Sequence, residues 1–288
     1  MSARGIRFDP LLKEVSRSFY LSLRLLPGAV RGSLSLAYLL ARASDTISDA
    51  IPAPVGDRLK LLECLPAAPP HCPAVPGAEG RILAALPQLL AAWEASPDRD
   101  AIGGVWEKIR EGQIFDLQRF GGTMPPSLTP AELERYTYLV AGSVGEFWTS
   151  LCFKHVPGYS TESPGRMLQL GKCFGQGLQL VNILRDVRAD AAIGRTYVPA
   201  GRVGQEMDLA RQHLTAGARY GAAVRPRRLR AACLLPLFLG RATLDLVESS
   251  PEQSRCKVPR HRVWGLLLRA LLTPAGASSA RHRGPKAN

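Results

Sequence analysis

Apolar residues recur at three- and four-residue spacing through most long segments of the chain, and no series of alternating Val, Ile and Thr runs joined by hairpin turns is present. That period belongs to helices that bury one stripe, so the sequence predicts an all-α protein. Helices are expected over 16–50 with a break near Pro27 and Gly28, and over 79–96, 101–120, 136–155, 166–191, 204–223, 226–248 and 259–272. Thr129-Pro130-Ala131-Glu132 marks one start: the threonine can cap, proline suits the first helical position, and the glutamate stands three residues after the cap. A Pro-rich loop is expected at 51–78, and 273–288 has the small, polar and basic composition of a disordered tail. No fixed-period repeat or linker divides the 288 residues, so 1–272 reads as one domain with the loop inserted in it.

The charge points to the partner. Lys and Arg number 37 against 24 Asp and Glu, a formal +13 that implies an anionic ligand or surface. A nucleic-acid partner is disfavoured, because the basic residues are not interleaved with aromatics and no helix-turn-helix or zinc pattern is present. Six scattered cysteines form no C-x-x-C pair and read as small hydrophobes in a reducing compartment, while Cys64, His71 and Cys72 lack the second pair that zinc requires. Met1–Pro10 has no apolar signal core and no run reaches the roughly twenty apolar residues of a spanning helix. A cytoplasmic protein with at most peripheral membrane contact is therefore expected. No feature bears on oligomeric state.

Two segments carry a polar line through apolar surroundings. Tyr38, Arg42, Asp45 and Asp49 stand at offsets 0, 4, 7 and 11, on one helical stripe among Leu34, Leu39, Leu40, Ala41 and Ala43. Gln179, Asn182, Asp186 and Asp190 repeat the pattern at 0, 3, 7 and 11 among Leu178, Leu180, Val181, Ile183 and Leu184. Like charges in an interior helix are costly unless a cation compensates them. Hard oxygen donors of this kind suit Mg2+, held by one or two carboxylates together with substrate phosphate oxygens, and Arg42, Arg185 and Arg195 are cations able to bind the same diphosphate.

At these residues the chain resembles the squalene and phytoene synthases. The resemblance runs from Ser16-Arg17-Ser18-Phe19, through Tyr38-Leu39-Leu40-Ala41-Arg42 and Asp45-Thr46-Ile47-Ser48-Asp49, to Glu111-Gly112-Gln113-Ile114-Phe115-Asp116-Leu117 and Tyr136 with its Val140-Ala141-Gly142 run. Its most specific piece is Gln179–Asp190, followed by Gly194-Arg195-Thr196-Tyr197-Val198-Pro199. The resemblance implies an isoprenoid synthase helical bundle around a central cavity, with Asp45, Asp49, Asn182, Asp186 and Asp190 around magnesium. It implies proton transfer by Tyr136, and substrate contacts by Ser16, Phe19, Tyr38, Arg42, Gln179, Asn182, Arg185, Arg195 and Tyr197. Ala141, Gly142, Gly145, Gly175 and Gly177 either leave room for prenyl chains or let helices pack closely.

The implied reaction joins two prenyl diphosphates head to head, most simply two farnesyl diphosphates, through a cyclopropyl diphosphate. It ends in squalene with hydride from NADPH, or in phytoene or dehydrosqualene by proton loss. Thr46 after the first aspartate resembles the squalene synthases and favours the reductive ending. Gly175-Gln176-Gly177 follows no strand and identifies no nucleotide site. A non-catalytic assembly or lipid-binding relative remains the other class of function, and the retained acidic set argues against it. Thr137 stands where the family commonly has cysteine, and the region after Pro199 is unusually Arg-rich.

Overall fold

The computed structural model describes residues 9–16, 19–67, 74–122, 127–249 and 257–276. Among them the structure is helical, with no β-strand beyond one isolated bridge between Ser160 and Val224. The helices are α1 (Asp9–Ser16), α2 (Phe19–Leu25), α3 (Gly28–Asp49), α4 (Val55–Glu63), α5 (Gly77–Ala84), α6 (Leu86–Glu94) and α7 (Arg99–Phe120). They continue as α8 (Pro130–Thr137), a π-helical turn (Tyr138–Gly142), α9 (Ser143–His155), α10 (Pro164–Ala192), α11 (Val203–Ala223), α12 (Arg227–Ser249) and α13 (Arg260–Leu272). The all-α class expected from the apolar period is the one found.

The differences from expectation have local causes. The Pro-rich stretch 51–78 holds a helix, α4, which Pro54 precedes and Pro66 follows; prolines that bound a helix hid it, because proline is tolerated at helix entry. The helix expected over 79–96 is two, since Pro87 sits in the first turn of α6. The capping box is present: the Thr129 hydroxyl accepts from the Glu132 amide and the Glu132 carboxylate accepts from the Thr129 amide. The helix expected through Tyr136 to His155 widens into the π turn, a feature that often marks functional walls. Arg17, Ser18, His71, Cys72 and 277–288 lie outside the described residues.

Burial explains the arrangement. Leu34, Leu39, Leu40 and Ile47 of α3 are buried with Trp93 and Trp106, while Leu180, Val181 and Leu184 of α10 are buried with Leu214, Leu234 and Phe238. Helix α10 belongs to both cores, through Met167 and Leu170 in one and Leu180–Leu184 in the other. It crosses α9 at backbone distance. A Cβ added to Gly145 would lie 2.0 Å from the Gly171 carbonyl oxygen, and one on Gly175 would lie 2.1 Å from that of Ala141. These small residues therefore seat one helix on the other.

Candidate active site

Between α2, the π turn and helices α9–α12 lies a cavity of about 220 Å³. Its wall is mostly apolar: Phe19, Val140, Ala141, Val144, Trp148, Phe174, Leu178 and Pro236 contribute, and Gly145 and Gly175 line it as well as packing the helices. Gln179 and Asn182 of α10 give it a polar side. From Gln179 to Asp190 the helix climbs about 16 Å, at 1.5 Å per residue, so the same stripe leads from the apolar cavity to Asp186 and Asp190. The Phe19 ring lies 5.2 Å from that of Tyr38, which begins the other stripe.

Both acidic pairs sit toward helix C-termini. Asp45 and Asp49 close α3, Asp186 and Asp190 approach the end of α10, and neither helix has a basic residue in its last turn. A helix C-terminus already carries partial negative charge, so carboxylates there are placed against the dipole. Burial and the Asp49 carboxylate push Asp45 up to about 6, against the opposing pull of Arg42. Burial and Asp186 push Asp190 up to about 6 as well, against Arg195. The site holds more negative charge than its own cations comfortably neutralise.

Arg195 brings the two ends together. Helix α10 closes in a Schellman turn: Gly194 has φ +80°, its amide donates to the Ala191 carbonyl (3.1 Å), and the Arg195 amide donates to the Asp190 carbonyl (2.9 Å). The positive φ suits glycine, and it turns the chain so that the Arg195 guanidinium reaches Asp49 of α3 (2.9 Å) and Asp116 of α7 (3.4 Å). Arg42 pairs with Asp45, and Arg185 donates to both Asp186 oxygens (3.0 and 2.5 Å). Asp116 accepts from the Tyr197 hydroxyl at 2.6 Å, and Tyr197 stacks on Tyr136 at 5.2 Å. Burial and the Asp116 carboxylate hold the Tyr136 hydroxyl well above the usual phenol range, so it stays protonated.

The sequence-derived residues thus fall into one polar region, with two qualifications. Ser16 is buried in α1, where its hydroxyl donates to its own helix at Leu12, and it does not line the cavity; the Tyr38 hydroxyl donates to the neighbouring Val15 carbonyl (3.0 Å). Asp116 was not singled out by the spacing argument, although it is the buried anion on which Arg195 and Tyr197 converge. Its signal was weak: one acid in the Glu111–Leu117 motif, without an acidic partner one turn away. Among the described residues no three His, Cys, Asp or Glu side chains form a ready metal cage. The donors present are all oxygens, the type magnesium takes, and magnesium commonly needs only one or two carboxylates beside phosphate oxygens.

A scan against family descriptions matches squalene/phytoene synthase over residues 12–206 and 201–263. The chain belongs to the squalene/phytoene synthase family. Curated relatives include the bifunctional lycopene cyclase/phytoene synthases of Aspergillus oryzae (strain ATCC 42149 / RIB 40), 29% identical over 68% of this chain and 35% of that protein, and of Pyrenophora tritici-repentis (strain Pt-1C-BFP), 32% identical over 65% and 33%. The chain therefore spans about a third of the length of these relatives. Solved structures with the same fold include TcSQS in complex with the ligand E5700, with TM-score 0.76 and 21% identity over 91% of this chain and 84% of that one. A ligand-bound dehydrosqualene synthase matches with TM-score 0.61 and 21% identity over 91% and 93%. The helical bundle is thus that of the squalene/phytoene synthase family, whose enzymes are prenyltransferases.

Proposed function

We propose that the protein condenses two prenyl diphosphates head to head through a cyclopropyl diphosphate and ends by proton loss, giving a phytoene- or dehydrosqualene-type product. The observation that carries this reading is the pair of acidic helix C-termini, joined by Arg195, along the stripe that continues into the apolar cavity. Each arginine is paired with a neighbouring aspartate: Arg42 with Asp45, Arg185 with Asp186, Arg195 with Asp49. On binding, the guanidinium groups turn to phosphate oxygens through charge-assisted hydrogen bonds. The freed oxygens of Asp45, Asp49, Asp186 and Asp190, with Asn182, fit magnesium. A magnesium ion held by these residues would supply positive charge to the departing diphosphate.

The apolar wall keeps water from the allylic cation. Tyr136, held neutral, can pass a proton at its hydroxyl but does not ionise to a phenolate near neutral pH. The proton-loss ending is supported by the phytoene synthases among the relatives. Thr46, the residue behind the reductive expectation, is buried, and its hydroxyl is spent within α3 on the Arg42 carbonyl (2.9 Å). Gly175 and Gly177 lie inside α10, packed against Ala141 and His213.

The test is incubation with farnesyl or geranylgeranyl diphosphate and magnesium, with and without NADPH, followed by mass spectrometry of the extracted product, with Asp186→Ala as control. Phytoene or dehydrosqualene in both conditions supports the proposal. Squalene formed only with NADPH moves the ending to reduction, and no turnover of either substrate moves the protein to a non-catalytic binding role.

A further inference from the structure

Five large apolar side chains are exposed among the described residues, and three of them share one helix: Trp264 (62%), Leu268 (58%) and Leu272 (63%) of α13. The others, Ile193 and Leu209, stand singly on other elements. Spacing of four residues puts the three on one face, in a stripe about 12 Å long. The opposite face of α13 is fully used: Leu266, Leu267 and Leu271 pack on the core around α12, and Ala270 is buried. An amphipathic helix normally turns polar residues to water, and this one turns out a tryptophan and two leucines.

The surroundings of the stripe are basic. From 253 to the end of the chain the sequence has no Asp or Glu and eight Lys and Arg, of which Lys257, Arg260, Arg262 and Arg269 are described and exposed. At the Leu272 end, Arg227 donates to the Leu271 carbonyl (2.8 Å), and Arg228 donates to the Arg24 carbonyl (3.4 Å). Arg24, Arg225, Arg227 and Arg228 are all exposed there, so the ends of α2, α12 and α13 gather four arginines. Asp245 and Glu248, on the last turns of α12, are the acids toward the Trp264 end; Glu248 is paired with Arg211 (2.7 Å).

We infer that α13 is an interfacial helix that docks the protein on an anionic lipid surface, with Trp264, Leu268 and Leu272 entering the headgroup boundary and the arginines facing lipid phosphates. A second copy of the chain fits less well. Stable interfaces engage about 20–30 residues a side, whereas this stripe is three side chains wide and its rim would meet an equally basic rim. The docked helix packs on α12, which supplies Ala232, Cys233 and Pro236 to the cavity wall. On the prenyl-diphosphate reading above, docking sets that wall beside the phase in which prenyl chains dissolve, but the docking itself does not depend on that reading.

The experiment is co-sedimentation of the full chain, without substrate, with vesicles of pure phosphatidylcholine or of equimolar phosphatidylcholine and phosphatidylglycerol. Binding to the anionic vesicles is expected to exceed binding to the neutral ones by about tenfold or more and to fall with salt. Bromine-labelled acyl chains should quench tryptophan emission in the native protein, and Trp264→Phe should abolish the quenching while Trp93, Trp106 and Trp148 still emit. Combined Trp264→Ser, Leu268→Gln and Leu272→Gln should weaken vesicle binding by about tenfold or more with an unchanged melting temperature, since these side chains leave water only on docking. No binding to the anionic vesicles, equal binding by the triple variant, or a dimer that the triple variant dissociates would each overturn the inference.

Discussion

Two acidic centres in this protein, one buried at Asp98 and one half-buried around Asp45 and Asp190, are built on opposite plans. Asp98, at the start of α7, accepts from Ser33 (2.6 Å), Lys154 (2.7 Å) and His155 (2.9 Å). Its burial raises the carboxyl, but those hydrogen bonds outweigh burial and hold it at about 2. Asp45 and Asp190 are pushed the other way, up to about 6, by burial and by like charges one turn off. The first centre is complete within the chain. The second is short of positive charge, at two helix ends that add negative potential of their own. A surplus of anions that folding does not neutralise fits the cation- and diphosphate-binding role proposed above.

The sharpest break between the two is to neutralise one member of each. Asp190→Asn should lower turnover by about three orders of magnitude, roughly 4 kcal/mol of barrier, without lowering the melting temperature, because it relieves repulsion from Asp186. Asp98→Ala should do the reverse: a loss of about 2–4 kcal/mol in denaturant unfolding, as Ser33 and His155 lose their acceptor, with turnover intact while the protein remains folded. A destabilised Asp190→Asn would mean that the site's carboxylates hold the fold and would undo the contrast.

Asp116 lies between the two plans, since it is buried like Asp98 yet serves the site. Asp116→Asn keeps an oxygen for the Tyr197 hydroxyl and removes the charge that faces Arg195. Turnover should fall about 10–100-fold, the range for residues that orient a ligand-binding group, and mainly through kcat. Gly194→Ala is smaller again. A side chain at φ +80° strains the turn by about 1 kcal/mol, and a melting shift accompanied by weaker inorganic pyrophosphate binding would show that the turn aims Arg195.

How much of this could be read from the chain alone follows from the same contrast. The stripes on α3 and α10 were legible because a helical period makes four polar residues in an apolar segment stand out. Arg195 and Gly194 were visible as a cation and a stop. Their coupling was not, because a Schellman turn is a backbone event whose payoff lies on α3 and α7, far away in sequence. Asp116 and Asp98 carry no periodic signature, and only packing distinguishes the one serving the site from the one serving the fold. The π turn was hidden for a similar reason: Tyr138–Gly142 reads as ordinary helix, and the close approach of Ala141 to Gly175 of α10 has no signature in the local sequence.

The last way to sharpen the comparison is pH, where the two centres should act with opposite signs. A carboxyl raised above its unfolded value binds more protons when folded, so stability falls as pH rises through the interval from about 4 to about 6. The metal-free protein should therefore melt at a higher temperature near pH 5 than near pH 7, and Asp45→Asn with Asp190→Asn should flatten that slope. Asp98 is lowered instead, so its contribution is present above the unfolded value near 4 and is lost as pH falls toward about 2. Below pH 4 the Asp98→Ala variant should lose less stability with further acidification than the native chain. Magnesium with inorganic pyrophosphate should raise the melting temperature by binding the folded state, more at pH 7 than at pH 5, where protons already occupy part of the surplus. If the native protein is instead steadily less stable from pH 7 to pH 5, the site's carboxylates are compensated within the chain, and the distinction between the two centres fails.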